Sequence, residues 1–588
     1  MENIYDYITK ETNAYLAPIQ LENSAGISSG WSWSMLEHLT RSFLYKNSQF
    51  EEENDNRTLR PNKNIILAIM NVSYRTEGFD VKDIELYVND VHEAYKSMLV
   101  RKFHNKWALE QGIDTFIDET VESYADYGGA LIRKSEEAKP EVVDLRDIAF
   151  CNQKDLIANP FGIRHAFTPA TLRQQKKWGL DENGATMGIE DLILLTNKQD
   201  EDEIEVFEVH GTMPIEWLED EPSQKEESEK DVQQIQVVAY YKDDNDTEQG
   251  VTLFKHKEPK LPFKLLKRDD IKGRALGRGG IEELFEAQVW TNWNEVKVTE
   301  MLEAVSKQLV VTDDTTFAAK HPAGLKNLES MEVLGVGDGK TVKILDNYPR
   351  NLTLFNDSME RWSQQAQTLG SAGDPLLGDT PPSGTPFKLF ESQTIEGKGI
   401  HEYRKGKIAT FVDEIYRDWV LPYIQKEVAQ DQSFLAELSA DEMQEISTQV
   451  SENQANKIRN EQVINGELPT DRDELVQEEL EGFVKGGNKR FFEIFKDEIK
   501  EPLSVLTNIA GKQKNLALMT DKLVNVFRQY LDMRSKGVDT AGLDGLLNTI
   551  LESSGLSPIM FKPPPMQAPE QPQQQVSTEP LEQLAEAK

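Results

Sequence analysis

Cysteine is nearly missing from this chain: Cys151 is the single one in 588 residues. That excludes an intramolecular disulfide framework and fits a reducing compartment. Long apolar runs are missing too. Without a stretch of about 18 apolar residues, no transmembrane helix is expected. The N-terminus, Met1-Glu2-Asn3-Ile4-Tyr5-Asp6, lacks the basic start and apolar centre of a signal peptide. Positive charge is scarce, with 65 Lys and Arg against 102 Asp and Glu and a formal net charge of −37. Proteins that grip duplex DNA by its phosphates are normally basic, because lysine and arginine displace the counterions. This surface should mostly repel DNA. Either the excess charge serves solubility, or it walls a passage along which DNA slides without sticking. Screening over about 8 Å at physiological salt would let acidic walls act only close to a duplex. Histidine is sparse and scattered. His92-Glu93 and His401-Glu402 each lack a second histidine four residues on, so the helical zinc-protease arrangement fails. Both histidines read as surface helix residues, and no metal site is expected.

What is present is organised around residues 281 to 419. Ile281, Phe285, Val289, Trp293, Val296, Leu302, Val305 and Leu309 recur mostly at steps of three and four, one apolar stripe on a long helix. Leu309 to Val311 reads as a strand. Met331 to Val336 and Thr341 to Leu345 flank Asp338-Gly339, a strong hairpin signal because both turn residues need positive φ. A second helix is expected over about Leu352 to Leu369. Next comes a segment dense in Gly and Pro, from Gly370 through Gly373, Pro375, Gly378, Pro381, Pro382 and Gly384 to Pro386, which predicts a loop. Thr394 to about Lys426 returns to helical spacing, with Ile408, Phe411, Ile415 and Trp419 on one face.

This order of parts, with the lead-in Gly277 to Gly280, Gln288 and Asn292 on the following helix, the loop Ser383-Gly384-Thr385, and Asp418-Trp419-Val420-Leu421-Pro422, resembles the core of tailed-bacteriophage portal proteins. The likeness covers roughly residues 60 to 430 and rests on the ordered set, since no single motif in it is as specific as a metal-ligand signature. It implies an α+β, mainly helical fold: a wing over 1–280, stem helices over 281–309 and 351–370, a clip over 310–350, and a tunnel loop over 371–392. A long wing helix over 393–430 and a helical crown over 431–562 would follow. The implied function is a dodecameric ring at one capsid vertex, through which double-stranded DNA is packaged, retained and ejected. The implied partners are the terminase large subunit, tail adaptor proteins, the major capsid protein and other copies of the chain. No membrane or cofactor is implied, and the location is the virion, reached by assembly in host cytoplasm. Asp374, Asp379, Thr380, Ser383, Gly384, Thr385 and Lys388 are the candidate DNA-facing residues of the loop. Asp313, Asp314, Lys320, Asp338 and Lys340 are the candidate docking residues of the clip. Trp293 and Trp362 are the candidate contacts between subunits.

The remaining chain reads as α+β in its first half. Helices are expected within Trp31 to Phe50, over Asp80 to Gln111 and over Ile113 to Tyr127. Short strands are expected over Ala130 to Arg133 and Val142 to Phe150. Alternation over Ile204 to His210 and Ile235 to Tyr241 marks an antiparallel β subdomain at about 200–265, with a charged insertion at Glu219 to Asp231. Helices are expected again over Ser433 to Ile464, Asp471 to Val484, Lys489 to Lys500, Glu501 to Ala510, Asn515 to Ser535 and Leu543 to Leu551. The Pro/Gln/Glu-rich stretch 563–588 has too little apolar surface to order itself.

Two glycine-rich stretches invite nucleotide binding. Gly337-Asp338-Gly339-Lys340-Thr341 has Leu334 where a phosphate loop needs glycine, and the next residues read as β rather than as the helix that would hold phosphate. Gly273 to Gly280 does not match the dinucleotide fingerprint. Cys151 sits beside an expected strand and reads as a buried, inert thiol. No active site is visible. The competing readings are another virion structural protein, such as a minor head or adaptor protein, and a nucleotide-binding enzyme.

Overall fold

The computed structural model describes residues 3–22, 28–48, 63–88, 94–197, 203–218, 230–242, 248–306, 309–313, 315–316, 338–345, 352–378, 387–430, 440–482, 505–509 and 528. The fold is α+β and mainly helical. In chain order the elements are α1 (Ile4–Tyr15), β1 (Ile19–Glu22), β2 (Ser28–Trp33), α2 (Met35–Lys46), α3 (Ile65–Glu77), β3 (Ile84–Val88), α4 (Ala94–Gln111) and α5 (Ile113–Tyr127). Then come β4 (Gly129–Lys134), β5 (Pro140–Val143), β6 (Ile148–Phe150), β7 (Phe161–Phe167), α6 (Pro169–Leu172), α7 (Ile189–Asn197), β8 (Ile204–Pro214), β9 (Asp231–Lys242), β10 (Glu248–Lys257) and β11 (Phe263–Lys267). The last group is α8 (Gly280–Ser306), β12 (Leu309–Thr312), β13 (Val342–Leu345), α9 (Leu352–Leu369), α10 (Asp374–Leu377), α11 (Phe387–Ile415), a π-helical turn (Tyr416–Val420), α12 (Leu421–Gln430), α13 (Ala440–Ile464) and β14 (Val505–Ile509).

The chain forms two compact units. One holds the described residues of 1–84, 105–423 and 509–514; the other holds those of 85–104, 424–508 and 515–588.

In the first unit, β10-β9-β8-β7-β6 make a five-stranded sheet whose described pairings are all antiparallel. The alternation over 204–210 places Val206 opposite Ala239 and Val209 opposite Gln236. One apolar core holds Leu172, Leu192, Val206, Val237, Val251 and Leu253. A second joins Ile4, Ile8, Met35 and Leu39 to Phe150, Phe161, Val209 and Leu276. A smaller antiparallel sheet, β11-β4-β5, follows α5 directly. Gly128 ends α5 in the left-handed region at φ 81°, which permits the tight turn into β4.

The third core is helical. Ile65, Ile66, Ile69, Met70 and Val72 of α3 pack with Ala125 of α5, Ile281, Leu284 and Ala287 of α8, and Ala366, Ala372 and Leu376. Helix α8 has 27 residues, a rod about 40 Å long at about 1.5 Å per residue. It leads into the β12–β13 ribbon, registered Leu309 to Leu345 and Thr312 to Val342, and α9 packs back along it.

Several expectations are corrected. Residues 80–111 are not one helix: a 3-10 turn at Val81–Asp83 and strand β3 precede α4. Ile84 and Leu86, both buried, fit a strand's period of two as well as the apolar spacing fitted a helix. Trp33 lies on β2, and α2 begins at Met35 behind its Ser34 cap. Val142–Phe150 is two strands parted by a 3-10 turn at Leu145–Asp147. Among the described residues β13 pairs with β12, and Gly339 takes positive φ, at 75°; residues 331–336, the other expected arm of the hairpin, lie outside the described residues. The glycine- and proline-rich loop is shorter than 371–392. Asp374–Leu377 forms a helical turn with proline in its first turn, and α11 starts at Phe387. Residues 505–509 form strand β14, neighbouring β3, where a helix was expected. Of the charged insertion, 219–229 lie outside the described residues and Asp231 opens β9. Of the expected C-terminal helices, α13 and 472–482 are described; those over 489–500 and 543–551, 515–535 apart from residue 528, and the stretch 563–588 lie outside.

Candidate functional site

The paired helices α8 and α9 carry an aromatic cluster. The Trp290 and Trp362 rings stack at 6.2 Å and 9°, Trp293 meets Trp290 edge-on at 5.8 Å, and Phe355 lies 6.2 Å from Trp293. Trp290 is 42% exposed and Trp293 47%, with Leu302 and Leu354 at 51% and 66%. Trp293 and Trp362 are thus brought together, through a Trp290 that sequence reasoning missed. The expected buried stripe is offset. The buried face of α8 is Ile281, Leu284, Ala287, Gln288, Thr291 and Asn294, while Trp293 turns outward.

The polar members of that face have local work that explains the offset. Gln288 Oε1 accepts from the Ile65 and Ile66 amides at 2.8 and 3.3 Å, and its Nε2 donates to Lys63 O at 2.8 Å. It also donates to Asn292 Oδ1, at 2.8 Å. Gln288 therefore satisfies the first amides of α3, which have no partner within their own helix. Asn294 Nδ2 donates to Ser358 Oγ on α9, at 3.0 Å. A side chain on Gly277 would overlap the Arg268 carbonyl after β11, and one on Gly279 the Asp126 carbonyl of α5, so the lead-in to α8 can lie directly against both.

Behind the loop sits a buried charge network. The Glu77 carboxylate, at the end of α3 and 0% exposed, meets His401 Nδ1 at 2.9 Å, Arg268 Nη2 at 3.8 Å and Arg404 Nη1 at 3.9 Å. Arg404 Nη2 reaches Asp269 at 2.8 Å and Glu283 at 3.7 Å. Burial works to raise the Asp269 carboxyl, but the Arg404 hydrogen bond and the nearby Arg268 and Lys407 charges outweigh it and hold it below its usual range. Burial, with the nearby Asp269 charge, raises Glu283 against the pull of the arginines around it. His401 Nε2 lies 3.3 Å from Ser371 O, and Arg75 Nη2 donates to Leu376 O at 2.7 Å. The start of the Gly/Pro segment is thereby tied to α3 and α11. His401, expected at a helix surface, is instead fully buried, because Glu77, 324 residues away in sequence, supplies its partner.

Two other clusters are closed. Glu208 accepts from Arg133 at 3.1 Å and faces His165 Nε2 at 2.9 Å and His210 Nε2 at 3.0 Å, while His210 Nδ1 lies 3.1 Å from Glu258. Burial favours the neutral forms. The mutual hydrogen bonds outweigh it, lowering Glu208 and raising His210. Near α2, Lys46 pairs with Glu122 and, at 2.6 Å, with Asp126, which also accepts from Tyr74. Burial raises the Asp126 carboxyl against those partners.

Asp374 is exposed at the start of α10. Lys388 lies in the first turn of α11. Asp379, Thr380, Ser383, Gly384 and Thr385 lie outside the described residues, as do Asp314 and Lys320. Asp313, Asp338 and Lys340 are exposed and gather at one end of the β12–β13 ribbon, where Asp313 accepts from the Thr341 amide at 2.7 Å. Asp418, in the π-helical turn, accepts from Lys264 at 2.5 Å, and Lys264 also sits 5.6 Å from the buried Trp419 ring. Cys151 Sγ lies 3.6 Å from Met35 Sδ, and burial pushes the thiol up to about 12. Among the described residues no helix is long and apolar enough to cross a membrane, and no group of three His, Cys, Asp or Glu side chains could hold a metal.

No family model matches the chain, and no curated protein matches it. Among solved structures, a chain from a structure described as "Virion of native gene transfer agent (GTA) particle" aligns with a TM-score of 0.32 and 8% identity. The alignment covers 74% of this chain and 100% of that one.

Proposed function

We propose that this chain is a virion structural protein of the portal type, many copies of which form a ring around a DNA channel at one capsid vertex. The observation that carries the reading is the sequence of parts from α8 to α11: a long helix, a two-stranded ribbon, a helix packed back on the first, and a Gly/Pro segment tied down at its start. The exposed Trp290, Trp293, Leu302 and Leu354 suit a helix pair that packs against neighbouring copies, since an apolar patch of this kind marks an interaction surface. The acidic excess suits a wall along which DNA moves. Asp374 and Lys388, with Asp379, Thr380, Ser383, Gly384 and Thr385, would face the channel. Asp313, Asp314, Lys320, Asp338 and Lys340 would face the terminase large subunit and, later, the tail adaptors. The chain hydrolyses nothing in this reading, and the motor that drives DNA is a separate protein. Imaging the purified full chain by electron microscopy tests it. Rings with an axial hole wide enough for duplex DNA are expected; a monomer under every condition tried, capsid shells included, would overturn it. ATP turnover by the isolated chain would favour a nucleotide-using enzyme instead.

A further inference from the structure

A cavity of about 430 Å³ opens between α3, α10 and α11, beside the tied-down start of the Gly/Pro segment. Arg75, Lys398 and Lys405 line it, against one carboxylate, Glu402. Three cations converging on one hollow is unusual in a chain with a formal charge of −37. Lys398 and Lys405 lie two turns apart on α11, about 10 Å along its axis. Among the described residues neither lysine has a hydrogen-bond or ion-pair partner. Arg75 donates one Nη2 hydrogen bond to Leu376 O, which leaves most of its five donors available. His401 reaches the cavity from the buried side, where Glu77 holds its ring. The cavity is therefore a concave wall lined by three cations and one carboxylate, a shape that concentrates positive potential.

We propose that this pocket binds a phosphate group, either of free inorganic phosphate or of a nucleic-acid backbone. Phosphate fits the donors: the Arg75 guanidinium offers a planar fork, and the two lysines offer point charges that need no fixed geometry. The Arg75 that would receive it also holds the carbonyl of Leu376. Occupancy would thus act on the anchor of the Gly/Pro segment, so the pocket would register whether an anion lies beside that segment. The backbone-phosphate form rests on the channel reading above; the free-phosphate form does not.

The test uses the full chain with inorganic phosphate and with a short DNA duplex as separate probes. The variant is Lys398→Ala with Lys405→Ala. A control, Lys139→Ala with Lys177→Ala, removes the same charge from surface pairs elsewhere. Phosphate is expected to raise the melting temperature of the wild type and the control, with affinity at least tenfold weaker in the pocket variant. For a backbone site, the slope of log K against log salt for the duplex should flatten by about 1.8 in the pocket variant, about 0.9 for each lost contact. Loss of the phosphate response with an unchanged duplex slope assigns the pocket to free phosphate; loss of both assigns it to the DNA backbone. Pocket and control variants that respond alike to both probes would overturn the site. Neither melting nor titration requires a ring, so this outcome is independent of whether rings are seen.

Discussion

Replacing Glu77 with alanine should loosen the anchor of the Gly/Pro segment, which Glu77 holds through His401. The carboxylate is fully buried and faces His401, Arg268 and Arg404 at 2.9, 3.8 and 3.9 Å. Without it, Arg404 keeps Asp269 and Glu283, but Arg268 loses its ion pair and keeps its hydrogen bond to Ala125 O, the Tyr124 ring 5.9 Å away and the longer-range attraction of Asp269 and Glu283. Breaking a buried pair by removing one partner costs about 3–5 kcal/mol, because the remaining charge stays buried. That corresponds to roughly two to four powers of ten in the folding equilibrium. With a urea slope of about 1–3 kcal/mol per molar, the midpoint should fall by at least about 1 M. Urea unfolding followed by tryptophan fluorescence measures this, and limited proteolysis reports whether cleavage near residue 371 accelerates. Glu77→Ala with Arg404→Ala should be less destabilised than the sum of the single variants, by roughly 0.5–3 kcal/mol of coupling. A midpoint within error of wild type, or strict additivity, would show that the network is not held together by Glu77.

The Glu208–His210–Glu258 cluster should make stability depend on pH. His210 is raised above its unfolded value of about 6.5, so its contribution is complete below that pH and is lost as pH rises through the folded value. Glu208 is lowered, so its contribution is present above about 4.5 and is lost as pH falls through its folded value. Melting temperature should decline on the alkaline side, and His210→Phe should flatten that decline while lowering the melting temperature; an unchanged alkaline limb would contradict the assignment. Gln288→Leu should cost about 1–3 kcal/mol, since the Ile65 and Ile66 amides lose their acceptor; urea unfolding would show it, and a change under 0.5 kcal/mol would mean water replaces the side chain. Ile408→Asp with Ile415→Asp should abolish folding or assembly, because both positions are fully buried and an unpaired charge there has no partner; a native circular-dichroism melt with normal assembly would mean this face is not core.

What could be read from the sequence depended on whether the cause was local. Helix α5 was legible to the residue because glycines in the left-handed region stand at both ends, Gly112 and Gly128. The long sheet was legible because alternation survives wherever one face is buried. The outward turn of Trp293 was hidden, because Gln288 and Asn294 are buried for hydrogen bonds to α3 and α9, partners that no window of the sequence contains. His401 was misplaced for the same reason, its partner being Glu77. Residues 505–509 read as helix after Pro502, yet Val505, Thr507 and Ile509 alternate as a strand does, and pairing with β3 decided the outcome. Of the candidate loop residues, only Asp374 and the position of Lys388 could be placed.

Helix α3 is fastened at both ends. Its first amides are bolted to α8 by Gln288, and near its other end Arg75 and Glu77 hold the segment that begins at Ser371. Thirteen residues make it a rod about 20 Å long. Because the middle of the same rod is packed into the third core, a tilt of α8 would have to carry that core with it to reach the Gly/Pro segment through Arg75 and Glu77.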